Sequence, residues 1–276
     1  MRRTSMVGLV AGVALALGVV APAAVAEVPG RVTVTQTGPA GLADKEVVVV
    51  CPSGTRLYSA GGSVEGGPTG SAIITRVVPA VDLSRAVVGA RGVKAVVPWS
   101  ITAWAVCGQG SPVLVRSAPV VGAQAVDLKS ASADCPGVGS LTGVYGEVVD
   151  PSGQATLYGL VPSKDLTTAT AKASGPVDGQ WSVKAWGSCD AALVGKTYIE
   201  IDTGAMKGDL VQKASAQCAP GSSLLGGGGT VKSNSPDSVA SLTGLYPDWS
   251  AGSMTVVGTK GASPWSIEAY AICEMP

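Results

Sequence analysis

The stretch Trp99-Ser-Ile-Thr-Ala-Trp-Ala-Val-Cys107 decides how the chain is read, because it occurs three times. It returns as Trp181-Ser-Val-Lys-Ala-Trp-Gly-Ser-Cys189 and as Trp265-Ser-Ile-Glu-Ala-Tyr-Ala-Ile-Cys273. Apolar and mixed residues alternate, as in a β-strand, whose successive side chains point to opposite faces. One face carries Trp99, Ile101, Ala103, Ala105 and Cys107. It is apolar and ends in cysteine in all three copies, so it is expected to face a core. The other face is mixed, with Thr102, Lys184 and Glu268 where water is expected. Each copy nevertheless keeps one large aromatic there: Trp104, Trp186 and Tyr270. Two readings of these rings compete. They pack beneath a neighbouring strand or loop, or they are partly exposed platforms, one per unit. A platform can stack on a sugar ring or an apolar ligand, and three weak sites add avidity.

Working outward, the repeat divides the chain into units at residues 30–110, 111–195 and 196–276. The tryptophans that open the three copies are 82 and 84 residues apart. A period of about 83 is too long for a solenoid, whose repeats run about 20–50 residues. It suits a β-module of five or six strands. Each unit opens with a β-rich run: Arg31-Val-Thr-Val-Thr35, Val113-Leu-Val-Arg116 and Thr197-Tyr-Ile-Glu-Ile201. A second run, Glu46-Val-Val-Val-Val-Cys51 in unit one, leads into the first cysteine. A glycine-rich segment follows with three recurring columns: Leu57, Leu141, Leu224; Gly62, Gly146, Gly229; and Val64, Val148, Val231. Glycine inside a strand marks a bulge or a close backbone approach. The run from Gly226 to Gly229 is not a phosphate loop, since no Lys-Ser/Thr follows and it opens no helix. Next come strands ending in Pro79, Pro162 and Pro247, where the missing N–H ends ladder pairing. Asp82 and Asp165 follow that proline by three residues and read as turn formers; Ser250 is the match in unit three. Further strands at residues 85–89, 169–172 and 254–257 lead to the tryptophan strand. No helical period persists outside the N-terminal segment.

That N-terminal segment reads as a signal peptide over residues 1–26, cleaved after Ala26. Arg2 and Arg3 are its positive start, residues 7–20 are apolar, and Ala24-Val25-Ala26 is a small-x-small cleavage site. An uncleaved anchor is the rival, but this apolar run is short of the roughly 20 residues that span a bilayer. Arg2-Arg3 also admits twin-arginine export, although Thr4-Ser5-Met6 stand where a hydrophobic pair is expected. No cysteine at the cleavage site and no apolar tail before Pro276 suggest a lipid or permanent membrane anchor. An exported chain with six cysteines reads as disulfide-bonded. Pairing within units joins Cys51 to Cys107, Cys135 to Cys189 and Cys218 to Cys273. The rival symmetric set joins Cys107 to Cys135, Cys189 to Cys218 and Cys51 to Cys273. The repeat favours the first set, because similar units form similar bonds.

Composition excludes several functions. The chain has 19 basic and 19 acidic residues, and without Arg2 and Arg3 the balance is 17 against 19, or −2. Nucleic acid and an anionic membrane surface, which want basic patches, are not expected partners. With no histidine, Ser-His-Asp and Cys-His nucleophile systems are impossible. Without a Cys-x-x-Cys pair or a D-x-D-x-D-G run, neither zinc nor calcium is expected, and no cofactor is implied. A glycosidase needs only two carboxylates. No pair is marked among the scattered Asp44, Asp127, Asp134, Asp150, Asp178, Asp190, Asp209 and Asp237.

The combination Cys51-Pro-Ser-Gly54, Gly61-Gly62 and the Trp99 strand resembles a group of exported actinobacterial proteins of uncharacterised function. Unit three matches through Cys218-Ala-Pro-Gly221; unit two departs, with Cys135-Pro-Gly-Val-Gly139 and only Gly146 kept. The motif is structural, so the resemblance implies export and fold and no activity. More faintly, three repeats with a Cys-Pro-x-Gly opening and a closing strand ending in cysteine are similar to the vitelline membrane outer layer protein I type of β-prism. Its repeats are shorter and its acidic signature is missing here. That similarity implies a three-sheet prism.

The expected fold is therefore all-β: three pseudo-equivalent antiparallel units, prism-like or packed as three lobes, with one disulfide each. The expected protein is a secreted, non-catalytic binding or envelope-associated module. Its partner is an extracellular glycan or envelope component, with carbohydrate the first ligand class and Trp104, Trp186 and Tyr270 as candidate contacts. A glycan-active enzyme with an Asp/Glu pair and a protein-directed inhibitor or adhesion module are the alternatives.

Overall fold

The computed structural model describes residues 27–276 apart from 69, 94, 121–127, 177–179, 196, 206, 234–239, 261–263 and 276. The signal segment lies outside the described residues. Unit one supplies β1 (Val32–Thr37), β2 (Lys45–Val50), β3 (Arg56–Glu65), β4 (Ala72–Pro79), β5 (Arg85–Gly92) and β6 (Ser100–Gly108). Unit two supplies β7 (Val113–Arg116), β8 (Leu128–Asp134), β9 (Ser140–Val149), β10 (Thr156–Pro162), β11 (Thr168–Ser174) and β12 (Ser182–Asp190). Unit three supplies β13 (Thr197–Thr203), β14 (Val211–Gln217), β15 (Ser223–Ser233), β16 (Ala240–Asp248), β17 (Ser253–Lys260) and β18 (Trp265–Glu274). A short 3-10 turn, Ala191–Leu193, follows β12.

Each unit folds into two three-stranded layers, and each layer is completed by a layer of another unit. Sheet I runs β1-β6-β3-β16-β17-β14 and joins units one and three. Sheet II runs β2-β5-β4-β9-β12-β7 and joins units one and two. Sheet III runs β13-β18-β15-β10-β11-β8 and joins units two and three. The units are thus not separate lobes: three antiparallel sheets close a ring. The seams between units are narrow. Gly244 meets Ser63 in sheet I; Arg76 and Val77 meet Glu147 and Gly146 in sheet II; Gly159 and Leu160 meet Thr230 and Gly229 in sheet III.

The cysteines pair within units, Cys51–Cys107, Cys135–Cys189 and Cys218–Cys273, each with Cα atoms 5.7 Å apart. Each cystine ties the end of the closing strand to the end of the second strand, and so binds one layer of a unit to the other. The apolar face of the closing strand lies between these layers, with Trp99, Ile101, Ala103, Ala105 and Cys107 all fully buried. A long polar side chain six residues before the first cysteine caps each closing tryptophan. Lys45 Nζ lies 4.9 Å from the Trp99 ring and Lys129 Nζ 3.9 Å from the Trp181 ring. In unit three Gln212 donates to the Trp265 carbonyl at 2.7 Å instead. Burial of Lys129 holds its pKa below the usual lysine value, and the ring face and the Trp181 carbonyl compensate the charge.

A β-bulge falls at the same column of each unit, at Tyr58, Thr142 and Leu225. A bulge bends its strand, and the three bends meet: Thr142 Oγ1 donates to the Tyr58 carbonyl at 2.8 Å and Ser59 Oγ to the Leu225 carbonyl at 2.5 Å. The recurring glycines serve packing between layers. A Cβ on Gly229 would lie 2.3 Å from Val256 Cγ1, and one on Gly146 2.7 Å from Ala171 Cβ. Gly229→Ala is expected to cost about 1–3 kcal/mol. Val256→Ala in the same chain is expected to recover about 1 kcal/mol of that. Strict additivity of the two in denaturant unfolding would remove this explanation.

Asp82 and Asp165 do form turns, accepting from the backbone N–H of Ser84 at 3.1 Å and of Thr167 at 3.3 Å. In unit three the turn former is Asp248, which accepts from Ser250 N–H at 3.0 Å. Leu83 and Leu166 hold left-handed backbone (φ 56° and 54°), a strain offset by burying both side chains.

Candidate functional site

The outer aromatics diverge in their surroundings. Trp104 is 2% exposed; its Nε1 donates to the Leu245 carbonyl at 2.9 Å, and its ring meets Trp249 edge-on at 5.6 Å. Tyr270 is 6% exposed and its hydroxyl donates to Glu268 Oε2 at 2.6 Å. Neither offers a free ring face. Trp186 alone of the three is partly exposed. Three equivalent platforms therefore reduce to one. The mixed face of β18 also departs from expectation: Ser266, Glu268 and Ile272 are buried rather than in water.

Two neighbours explain the difference. Trp104 lies over Gly61 of the adjacent strand, where a Cβ would come within 2.4 Å of the indole. The residue opposite Trp186 is Tyr145, which fills that space. The residue two after the β16 proline is Trp249, the lid over Trp104. Its counterpart on sheet II is Val81, which is 84% exposed and covers nothing.

Beside Trp186, the outer face of sheet II carries a row of charge. Lys184 pairs with Glu147, Glu147 with Arg76, Arg76 with Gly89 and Gly89 with Glu46 across five strands. At about 4.8 Å per strand the row spans about 19 Å. Gly89 matters because a Cβ there would press on the Arg76 side chain at 2.8 Å. Without it, Arg76 lies across the strand and bonds Glu46. Arg76 also meets Glu147 at 3.5 Å, and Lys184 meets the other oxygen of Glu147 at 3.6 Å. Glu147, Arg76, Gly89 and Glu46 of this row floor a groove of about 450 Å³, walled by Asp44, Arg91 and Asp150. Arg91 Nη2 crosses from unit one to the Ala155 carbonyl of unit two at 3.1 Å. Burial raises the Asp150 pKa, but the N–H groups of Ala155, Ser152 and Gln154 and the Ser152 hydroxyl outweigh it, so the carboxyl titrates below its ordinary value.

No family model and no curated protein matches the chain. Exposed ion pairs contribute about 0–1 kcal/mol to folding, so the row is not what holds sheet II together. Its carboxylates and guanidinium can accept from and donate to ligand hydroxyls. Among the described residues, no cluster of three His, Cys, Asp or Glu could hold a metal ion. No described helix is long and apolar enough to cross a membrane.

The charged row escaped sequence reasoning because its members lie in four separate strands of two units. Only the seam pairing of Arg76 with Glu147 brings them together.

Proposed function

We propose that this is an exported, non-catalytic binding protein of the cell envelope or its surroundings, and that it takes a carbohydrate on the outer face of sheet II. One observation carries the reading: the only one of the three outer aromatics with an accessible ring stands on the same face as the polar groove. A flat ring for stacking beside converging donors and acceptors is what sugar recognition requires. Cystines throughout support export, with cleavage after Ala26. A binding role is favoured over a carboxylate-pair hydrolase because Glu46 and Glu147 are both paired with Arg76, which stands between them.

The test is retention of the exported chain on a glycan array and on insoluble polysaccharides. Trp186→Ala is expected to weaken retention at least roughly tenfold, since stacking is worth about 0.5–1.5 kcal/mol beyond the area buried. Trp186 is partly buried against the core, so the melting temperature of the variant is measured alongside, and retention is compared below it. Equal retention by the variant, or no retention of the parent chain on any glycan, sinks the reading.

A further inference from the structure

β2 is an edge of sheet II, and its outward face is unlike that of its counterparts. The repeat supplies an internal reference. At the third residue before the first cysteine, units two and three carry Ser132 and Ser215, facing Thr170 and Thr255. Their hydroxyls bond across the strands, Ser132 to Thr170 at 2.9 Å and Ser215 to Thr255. In unit one the same pair is Val48 and Val87. At the residue before the cysteine, Asp134 and Gln217 are replaced by Val50. Val48 and Val50 are 44% and 55% exposed. Edge strands are usually blunted with charge or polar groups, as β8 and β14 are. β2 alone of these three equivalents carries two successive apolar side chains, Val48 and Val50, on the open face beyond Glu46.

Charge says what completes it. The row of alternating charge on sheet II ends at Glu46, on the edge, half-exposed. Arg85, opposite Val50 on β5, is exposed and makes no ion pair among the described residues. An antiparallel pairing of β2 with itself, centred on Val48, places Glu46 of each copy beside Val50 of the other. Arg85 stands on the far side of that valine and reaches the carboxylate over it. The alternation then continues across the junction, and both valines are covered. A pairing centred on Glu46 sets like charges face to face.

We propose that a second copy of this chain docks along β2 in this two-fold register, joining two sheets II into one twelve-stranded sheet. Both outer faces then point the same way, so two grooves share one surface. The pairing does not depend on what the groove takes.

The experiment is sedimentation of the exported chain with increasing concentration, together with single-cysteine crosslinking. A monomer–dimer equilibrium is expected. Val48→Cys is expected to crosslink to itself under mild oxidation, because Val48 meets its own copy, while Val50→Cys is not. The double variant Val48→Ser/Val87→Thr, which copies units two and three, is expected to weaken association at least roughly tenfold with melting unchanged. Val48→Lys does the same through like-charge repulsion. A monomer up to roughly millimolar concentration, a dimer indifferent to Val48→Lys, or crosslinking through residue 50 as fast as through residue 48 overturns the proposal.

Discussion

Replacing Cys218 and Cys273 together by alanine lowers the unfolding free energy by about 4 kcal/mol. The loop closed by this cystine is 55 residues, against 56 and 54 for the other two. Because loop-closure entropy varies only with the logarithm of length, the three paired replacements should cost the same within about 1 kcal/mol. The structural reason for a large effect is where the bonds sit. Each ties together two layers that belong to different sheets, so releasing one loosens three strands in each of two sheets. The three costs together approach the 5–15 kcal/mol that separates most folded domains from their unfolded chains, and full reduction is therefore expected to unfold the protein. Guanidinium unfolding of the three double variants, unreduced, measures this. A cost below about 1 kcal/mol for any of them would show that the layers hold without the bond.

The second large effect is alkaline. Five of the six tyrosines have pKa values pushed up. Burial is the first cause at Tyr58, Tyr145, Tyr158, Tyr246 and Tyr270. At Tyr58 and Tyr270 the hydroxyl also donates to a carboxylate, Asp190 or Glu268, so ionisation would set two anions in contact. Tyr246 is pushed up to about 12. The sign follows from proton counting. Above about pH 10 the unfolded chain releases phenolic protons that the folded chain retains, so stability present below pH 10 is lost as pH rises through the folded values. Lys129, Lys172 and Arg31, lowered by burial, act in the opposite sense, the lysines up to about pH 10.5, and are three against five. With no histidine, the stability curve is expected to be flat from about pH 5 to 8 and to collapse abruptly in alkali. Tyrosinate absorbance should rise together with loss of sheet signal. Ionisation of five tyrosines near pH 10 with the sheets intact would contradict the burial.

Much of the fold was legible because it is written locally and three times. Alternation along the Trp99, Trp181 and Trp265 strands marks the core face. The shared columns mark the units, and unit symmetry selects the cystine set. What was not legible is non-local. The exchange of layers rests on seams one or two residue pairs wide, such as Ser63 with Gly244, and no period in the chain points to them. The outer aromatics show the same limit. Trp104 and Trp186 are the same residue in the same column of the same strand. One is closed and the other open because of Gly61 against Tyr145 and Trp249 against Val81. Gly61 and Tyr145 lie on the adjacent strand, and Trp249 and Val81 lie in turns of another unit.

The narrow seams also impose an order on folding. Sheet II needs nothing beyond β12, so it is complete once residue 190 is in place. Sheets I and III both wait for unit three, and sheet I must then join segments 182 residues apart, where the Tyr246 hydroxyl reaches the Val64 carbonyl at 3.0 Å. Such long-range β pairing is slow, in the millisecond-to-second class. Until it happens β3 and β10, interior strands of the finished ring, are open edges. The interval before ring closure is when this chain is most exposed to wrong partners.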